Sequence, residues 1–169
     1  PYLSPGAQDS VSPAVLLEMA RFFKNNPPKY SVMFVAFAGT YLGLAGSRHF
    51  VEERLLEDYD GFGKNVVADL NIDLNTYTKY LAITTYQGYE SGISGYVDVT
   101  NLVKFEDEIH RDIEKSLGKT FRIDKSSILP STAQAGSGYG SNMGSFFSPL
   151  DHGPFIFVST PAISWVTAY

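Results

Sequence analysis

Cysteine is absent from the 169 residues. Its absence excludes disulfides, thiolate metal sites and cysteine nucleophiles, and leaves the compartment open. No run of Lys or Arg occurs, and the net charge is −5. A nucleic-acid backbone is therefore not an expected partner, and an anionic membrane surface is disfavoured for the same reason. No apolar stretch approaches the length of a membrane-spanning helix. The motifs HExxH, CxxC, Walker A and GxSxG are all missing. No signal peptide is evident and the chain opens at Pro1 without a Met, so residues 1–169 are expected to be a single domain excised from a longer chain. What is present is an ordinary folding composition. Hydrophobic residues at 44% against 18% charged suit a core of one-domain size rather than disorder. The 11 Tyr and 12 Phe read as core filling plus ordinary surface residues.

The apolar pattern alternates between helix and strand periods. Residues 13–25 predict a helix: Ser12 is placed to cap it, Pro13 suits its first turn, and Val15, Leu16, Met19, Ala20 and Phe23 share a face. The run Asn25-Asn26-Pro27-Pro28 ends it. Tyr30 to Ala38 is almost continuously apolar, as expected of a strand buried on both faces. A turn over Gly39–Gly46 leads into a helix through about Asp58. Val66–Leu74 and Tyr80–Tyr86 predict further strands, with Val66–Leu74 in the sheet interior. Asn101–Leu117 predicts a peripheral amphipathic helix with Leu102, Phe105, Ile109 and Ile113 as its stripe. Its charged residues, Glu106 among them, form a solvated face, and Gly118 caps it. Residues 124–149, rich in Ser and Gly, form a long loop, and Ala162–Ala168 returns to strand. The alternation is that of an α/β protein with a mixed sheet.

Few residues advertise chemistry. His49 and His110 sit inside helices among charged neighbours and read as ordinary surface or boundary histidines. His152 follows Asp151 just after the long loop, and a His beside an Asp can serve as a ligand, an acid/base group or an oriented hydrogen-bonding residue. Gly136-Ser137-Gly138-Tyr139-Gly140 invites a phosphate-loop reading, but it opens no helix carrying a Lys and reads as flexible loop. Asp9 and Asp73 each lie at the end of a predicted element, where α/β folds place function. Spacing alone does not connect them.

Four ordered segments do. Gly6-Ala7-Gln8-Asp9-Ser10-Val11-Ser12, Val32–Ser47, Asn71-Ile72-Asp73-Leu74 and Asp151-His152-Gly153-Pro154-Phe155 with Thr160–Ser164 resemble successive motifs of the co-catalytic zinc aminopeptidases and their glutaminyl cyclase relatives. The resemblance implies a three-layer α/β sandwich with a mostly parallel mixed central sheet. It aligns Asp9 with the carboxylate that bridges two zinc ions, Asp73 with a second metal carboxylate, and Asp151 and His152 with pocket residues. The family's general-base Glu and the next metal-ligating Glu should stand at positions 40 and 41, where this sequence has Thr40 and Tyr41. Ala38 also replaces the usual Asp before the glycine. The family's two metal histidines fall outside the chain.

The replacement has a chemical consequence. In this chemistry the Glu takes a proton from metal-bound water and passes it to the leaving amine. Thr carries no titratable group near neutral pH, and losing a ligand carboxylate weakens the hold on a dication. The expectation is therefore a non-catalytic peptidase-like domain serving peptide or protein binding or assembly. No cofactor is expected, Asp9 and Asp73 are vestigial, and hydroxyls such as those of Thr40 or Tyr41 are placed to bond them. The parent is expected to be extracytoplasmic, either secreted or membrane-anchored, by analogy with the family. The alternative is an active zinc-dependent aminopeptidase drawing on Asp69, Glu52 or Glu53 and on histidines beyond the chain. In either case the six site positions, Asp9, Thr40, Tyr41, Asp73, Asp151 and His152, should converge at one edge of the sheet.

Overall fold

The computed structural model describes residues 10–57, 60–74, 80–83, 89–92, 95–118, 123–124 and 150–168. Helix α1 runs Val11–Asn25 and half-buries Val15, Leu16, Met19, Ala20 and Phe23, the face its periodicity predicts. Ser12 does not cap it. Its hydroxyl accepts the Leu74 amide proton at 2.8 Å and contacts the Leu74 carbonyl at 3.4 Å, joining the first turn of α1 to a strand 62 residues away. At the other end, the Asn26 side chain donates to the Phe22 carbonyl at 3.0 Å.

Residues 31–39 run without regular structure, contrary to the strand that their apolar composition predicts. A strand buried on both faces needs a ladder on each side. No described strand pairs with this segment. Tyr30, Val32 and Met33 are consequently exposed. The segment is held by its side chains and its end instead. Phe34 meets Phe23 of α1, Phe37 enters the core, and the Ala38 carbonyl accepts the Gly46 N–H at 3.0 Å.

A 3-10 turn (Thr40–Leu42) leads to α2 (Ala45–Val51), which widens into a π-helical turn over Glu52–Leu56, closed by the Glu57 N–H on the Glu52 carbonyl at 3.0 Å. Strand β1 (Asp69–Asp73) follows, then β2 (Tyr80–Ile83), the hairpin strands β3 (Tyr89–Gly92) and β4 (Gly95–Asp98), α3 (Thr100–Leu117), β5 (Ile123–Asp124), α4 (Gly153–Phe157) and β6 (Ala162–Ala168). The main sheet has the order β1-β6-β2-β5; β6 is parallel to β1 and antiparallel to β2, and β2 is parallel to β5. Strands β3 and β4 form a separate antiparallel pair. The chain is thus α/β, with a small mixed sheet. The stretch expected in the sheet interior supplies β1 at the edge of the described sheet, with Val67 and Leu70 exposed; among the described strands only β6 pairs with it. Among the described residues, no helix is long and apolar enough to cross a membrane.

The core gathers Val51, Val97, Val99, Phe155, Ile156, Ala162 and Ile163. Against it the rings of Phe37, Phe50 and Phe155 pack mutually, with centroids 5.6 to 6.1 Å apart. Helix α3 is rotated from the predicted stripe. Leu102, Val103, Ile109 and His110 are half-buried and Glu106 is buried, whereas Phe105 and Ile113 are exposed. Positions 102, 103, 106, 109 and 110 are themselves a continuous helical face, so one shift in phase accounts for the difference.

Candidate functional site

Close backbone packing builds the site. Between residue 38 and α2 the chain reverses through three left-handed residues, Gly39, Gly43 and Leu44. Leu42 N–H and Ala45 N–H both reach the Gly39 carbonyl, at 2.9 and 3.2 Å, and Leu44 N–H reaches the Thr40 carbonyl at 3.1 Å. Gly46 lies so close to Ala38 that a Cβ would stand 2.5 Å from the Ala38 carbonyl oxygen. Leu44, buried and branched, adopts φ 62°, a conformation that side chains disfavour. The tight reversal brings the Thr40 and Ser47 hydroxyls to one point.

That point is the carboxylate of Asp151. Thr40 Oγ1 donates to Asp151 Oδ2 at 2.7 Å, and Ser47 Oγ contacts Oδ1 at 2.5 Å. Asp151 is fixed from its own side by a turn in which Gly153 N–H donates to the Leu150 carbonyl at 2.9 Å. The next residue, His152, is fully buried. Its Nδ1 shares a 2.5 Å hydrogen bond with Ser164 Oγ, which also accepts from Asn71 Nδ2 at 2.7 Å. Asn71 and Ser164 are paired across β1 and β6, so the sheet register itself aligns this chain of groups.

Strand periodicity puts Asp69, Asn71 and Asp73 on one face of β1. Asp69 Oδ2 is shut off from solvent and has no hydrogen-bond partner among the described residues; the same holds for His152 Nε2. Burial, reinforced by the Asp151 charge, pushes the Asp69 carboxyl up to about 7. Burial pushes His152 down to about 4, so its ring is neutral at physiological pH.

Of the predicted site residues, Thr40, Asp151 and His152 are thus neighbours in one polar cluster. Asp73 stands exposed at the end of β1, about 13 Å along the strand from Asp69 at the usual rise per residue. The Ser12–Leu74 contact sets the first turn of α1 beside that strand end. Asp9 and the side chain of Tyr41 lie outside the described residues. Thr40, one of the hydroxyls expected to bond Asp9 or Asp73, donates to Asp151. Of the alternative carboxylates, Glu52 and Glu53 are exposed, the latter 3.5 Å from His49 on the same helix, and only Asp69 adjoins the cluster. Ser47, Asn71 and Ser164 each lie inside a segment that carries the family resemblance, which assigns none of them a role. The alternation of Asp69, Asn71 and Asp73 was the available signal, since three polar side chains at a spacing of two mark one face of a strand. Among the described residues, no group of three or more His, Asp and Glu could hold a metal ion.

The model of peptidase family M28 matches residues 1–141. Aminopeptidase YwaD of Bacillus subtilis is 35% identical over 95 residues, covering 56% of this chain and 20% of that protein. A probable zinc metalloprotease of Pyrenophora tritici-repentis is 39% identical over 72 residues, covering 42% of this chain and 15% of its own length. One from Phaeosphaeria nodorum is 37% identical over 67 residues, 40% of this chain and 12% of that protein. The matched stretches therefore span a fifth or less of these relatives. No solved structure matches the chain significantly.

Proposed function

This chain belongs to peptidase family M28, and from that premise we propose that it is a peptidase-like domain that has lost hydrolysis and serves peptide or protein binding, or assembly. The fold in this reading is the three-layer zinc-exopeptidase sandwich, and the parent is a secreted or membrane-tethered protein.

One observation carries the proposal: Thr40, at the position of the family's general base, gives its hydroxyl to Asp151 at 2.7 Å. A hydroxyl committed to a half-buried carboxylate cannot accept a proton from water near neutral pH and return it to a leaving amine. The donor chemistry at the next position supports the same reading: Tyr41 stands where the resemblance places a metal-ligating Glu, and a neutral phenol is a poorer ligand for a dication than a carboxylate.

Aminoacyl p-nitroanilides incubated with the chain and zinc should show no turnover above a Thr40→Ala control. Turnover that chelation abolishes would overturn the proposal. It would favour instead an active zinc-dependent aminopeptidase, the reading suggested by the names of the Bacillus subtilis and fungal relatives.

A further inference from the structure

Charge is unevenly spread along the chain. The net charge is −5, but residues 10–39 carry three basic side chains and one acidic, a net +2. The acid, Glu18, is paired with Arg21 on the same helix. The other two cations, Lys24 and Lys29, are exposed and form no ion pair among the described residues. Both line a groove of about 330 Å³ between the C-terminal half of α1 and residues 28–34. We propose that this groove docks an extended acidic peptide segment of a partner protein, with carboxylates on Lys24 and Lys29 and a large apolar side chain against the rings between them.

The walls are firmly held. Phe23 of α1 packs against Phe34 with ring centroids 6.1 Å apart. Asn26 closes the helix by donating its backbone and side-chain amides to the Phe22 carbonyl, at 2.9 and 3.0 Å. Pro27 and Pro28 then fix their own φ angles. A groove set in this way loses little freedom when it is filled. Tyr30 is 69% exposed, with the Lys29 ammonium 5.5 Å from its ring centre. Residues 31–33 are exposed and no described strand pairs with them. Their backbone N–H and C=O groups are available to an extended chain laid alongside.

These features select the occupant. The rings of Phe23, Tyr30 and Phe34 gain from covering by a large apolar side chain. Two ammonium groups with no acid among the lining residues attract carboxylates and repel Lys and Arg. An anionic bilayer meets the same cations, but also the net negative charge of the chain, and a flat surface cannot follow a concave one. A second copy, groove to groove, would bring four ammonium groups together.

The inference gives a surface and a partner chemistry to the binding role proposed above, and rests on that reading. The anilide assay tests the loss of hydrolysis and the following titration tests the groove, so either can fail alone. The probes are an acetylated, amidated hexapeptide, Glu-Glu-Phe-Leu-Glu-Glu, and its twin with Gln for every Glu. Added to the 15N-labelled chain at low salt, the acidic peptide should saturably shift the amides of Lys24, Lys29, Tyr30 and Val32. It should bind roughly tenfold more tightly than the twin. Joint Lys24→Glu and Lys29→Glu replacement should remove that preference, and Tyr30→Ala should weaken both peptides about tenfold. All three positions are exposed, so the spectra of the unbound variants should otherwise match the original. Absence of a saturable shift, or equal affinity for the two peptides, would overturn the proposal. So would binding to phosphatidylserine vesicles in place of the peptide, or self-association that the paired lysine replacements abolish.

Discussion

Replacing His152 with Asn should change how stability depends on pH, and in a direction opposite to intuition. The imidazole is fully buried and its affinity for a proton falls from the ordinary 6.5 to about 4 on folding. Between those values the unfolded chain binds a proton that the folded chain refuses. Stability from this group is therefore complete above pH 6.5 and drains away as pH falls towards 4. At about 1.4 kcal/mol per pH unit, the loss reaches about 3 kcal/mol. Asp69 acts in reverse over nearly the same window. Its carboxyl rises from 3.8 to about 7, so its contribution is greatest below pH 4 and lost by pH 7, a change of about 4 kcal/mol. The two slopes nearly cancel. Urea unfolding of the unaltered chain between pH 4.5 and 6.5 should accordingly give a shallow profile. In His152→Asn the Asp69 slope stands alone, and stability should fall by about 1 kcal/mol for each unit of rising pH. In Asp69→Asn the His152 slope stands alone and stability should rise by a similar amount. The comparison uses slopes rather than absolute stabilities, so the packing loss on shortening His152 does not enter. Profiles for both variants that run parallel to the original would refute the reasoning.

Three further outcomes test the architecture. Gly46→Ala would force a methyl to within 2.5 Å of the Ala38 carbonyl oxygen and 2.8 Å of its nitrogen; backbone must shift, and a loss of about 3 kcal/mol or outright failure to fold is expected by calorimetry. Ile163→Ala empties a fully buried position in the core, and chemical denaturation should register a loss of about 2–5 kcal/mol. Thr40→Val deletes one donor to Asp151, at a cost of about 1–3 kcal/mol. In a double-mutant cycle with Ser47→Ala the two losses should be non-additive, and additivity would show that the hydroxyls do not share the carboxylate.

The parts of this molecule legible from sequence are those where local pattern and tertiary demand coincide. The buried face of α1 follows its 3.6-residue period, and Gly118 ends α3 in the left-handed conformation. Where the partner is distant in sequence, the pattern misleads. Ser12 has the chemistry of a helix cap, but the helix begins before it, at Val11, and its hydroxyl bonds Leu74 instead. Tyr30–Ala38 has the composition of a central strand, but composition cannot supply neighbouring strands. Thr40 and Asp151 were each recognisable from motif resemblance. Their direct bond across 111 positions was not, because it depends on a left-handed reversal at Gly39, Gly43 and Leu44 that the spacing does not encode. Glu106 carries the same lesson. A charged residue on an amphipathic helix is read as solvated until the packing fixes the rotation.

The sheet order β1-β6-β2-β5 has a consequence for how the protein comes into being. The last of the described strands to leave the ribosome, Ala162–Ala168, occupies a place between two strands made some 80 to 90 residues earlier. Until it arrives, β1 and β2 have no common partner. Ser164 is also missing from the His152–Asn71 chain, and Ala162 and Ile163 from the core. The nascent chain must therefore wait with the core partners of Ala162 and Ile163 uncovered, and close its sheet by inserting a wedge rather than by zipping along an edge. Folding of this kind is dominated by distant contacts and is correspondingly slow. Its most hazardous interval falls between the synthesis of β2 and that of Ala162–Ala168, while the strand that joins β1 to β2 does not yet exist.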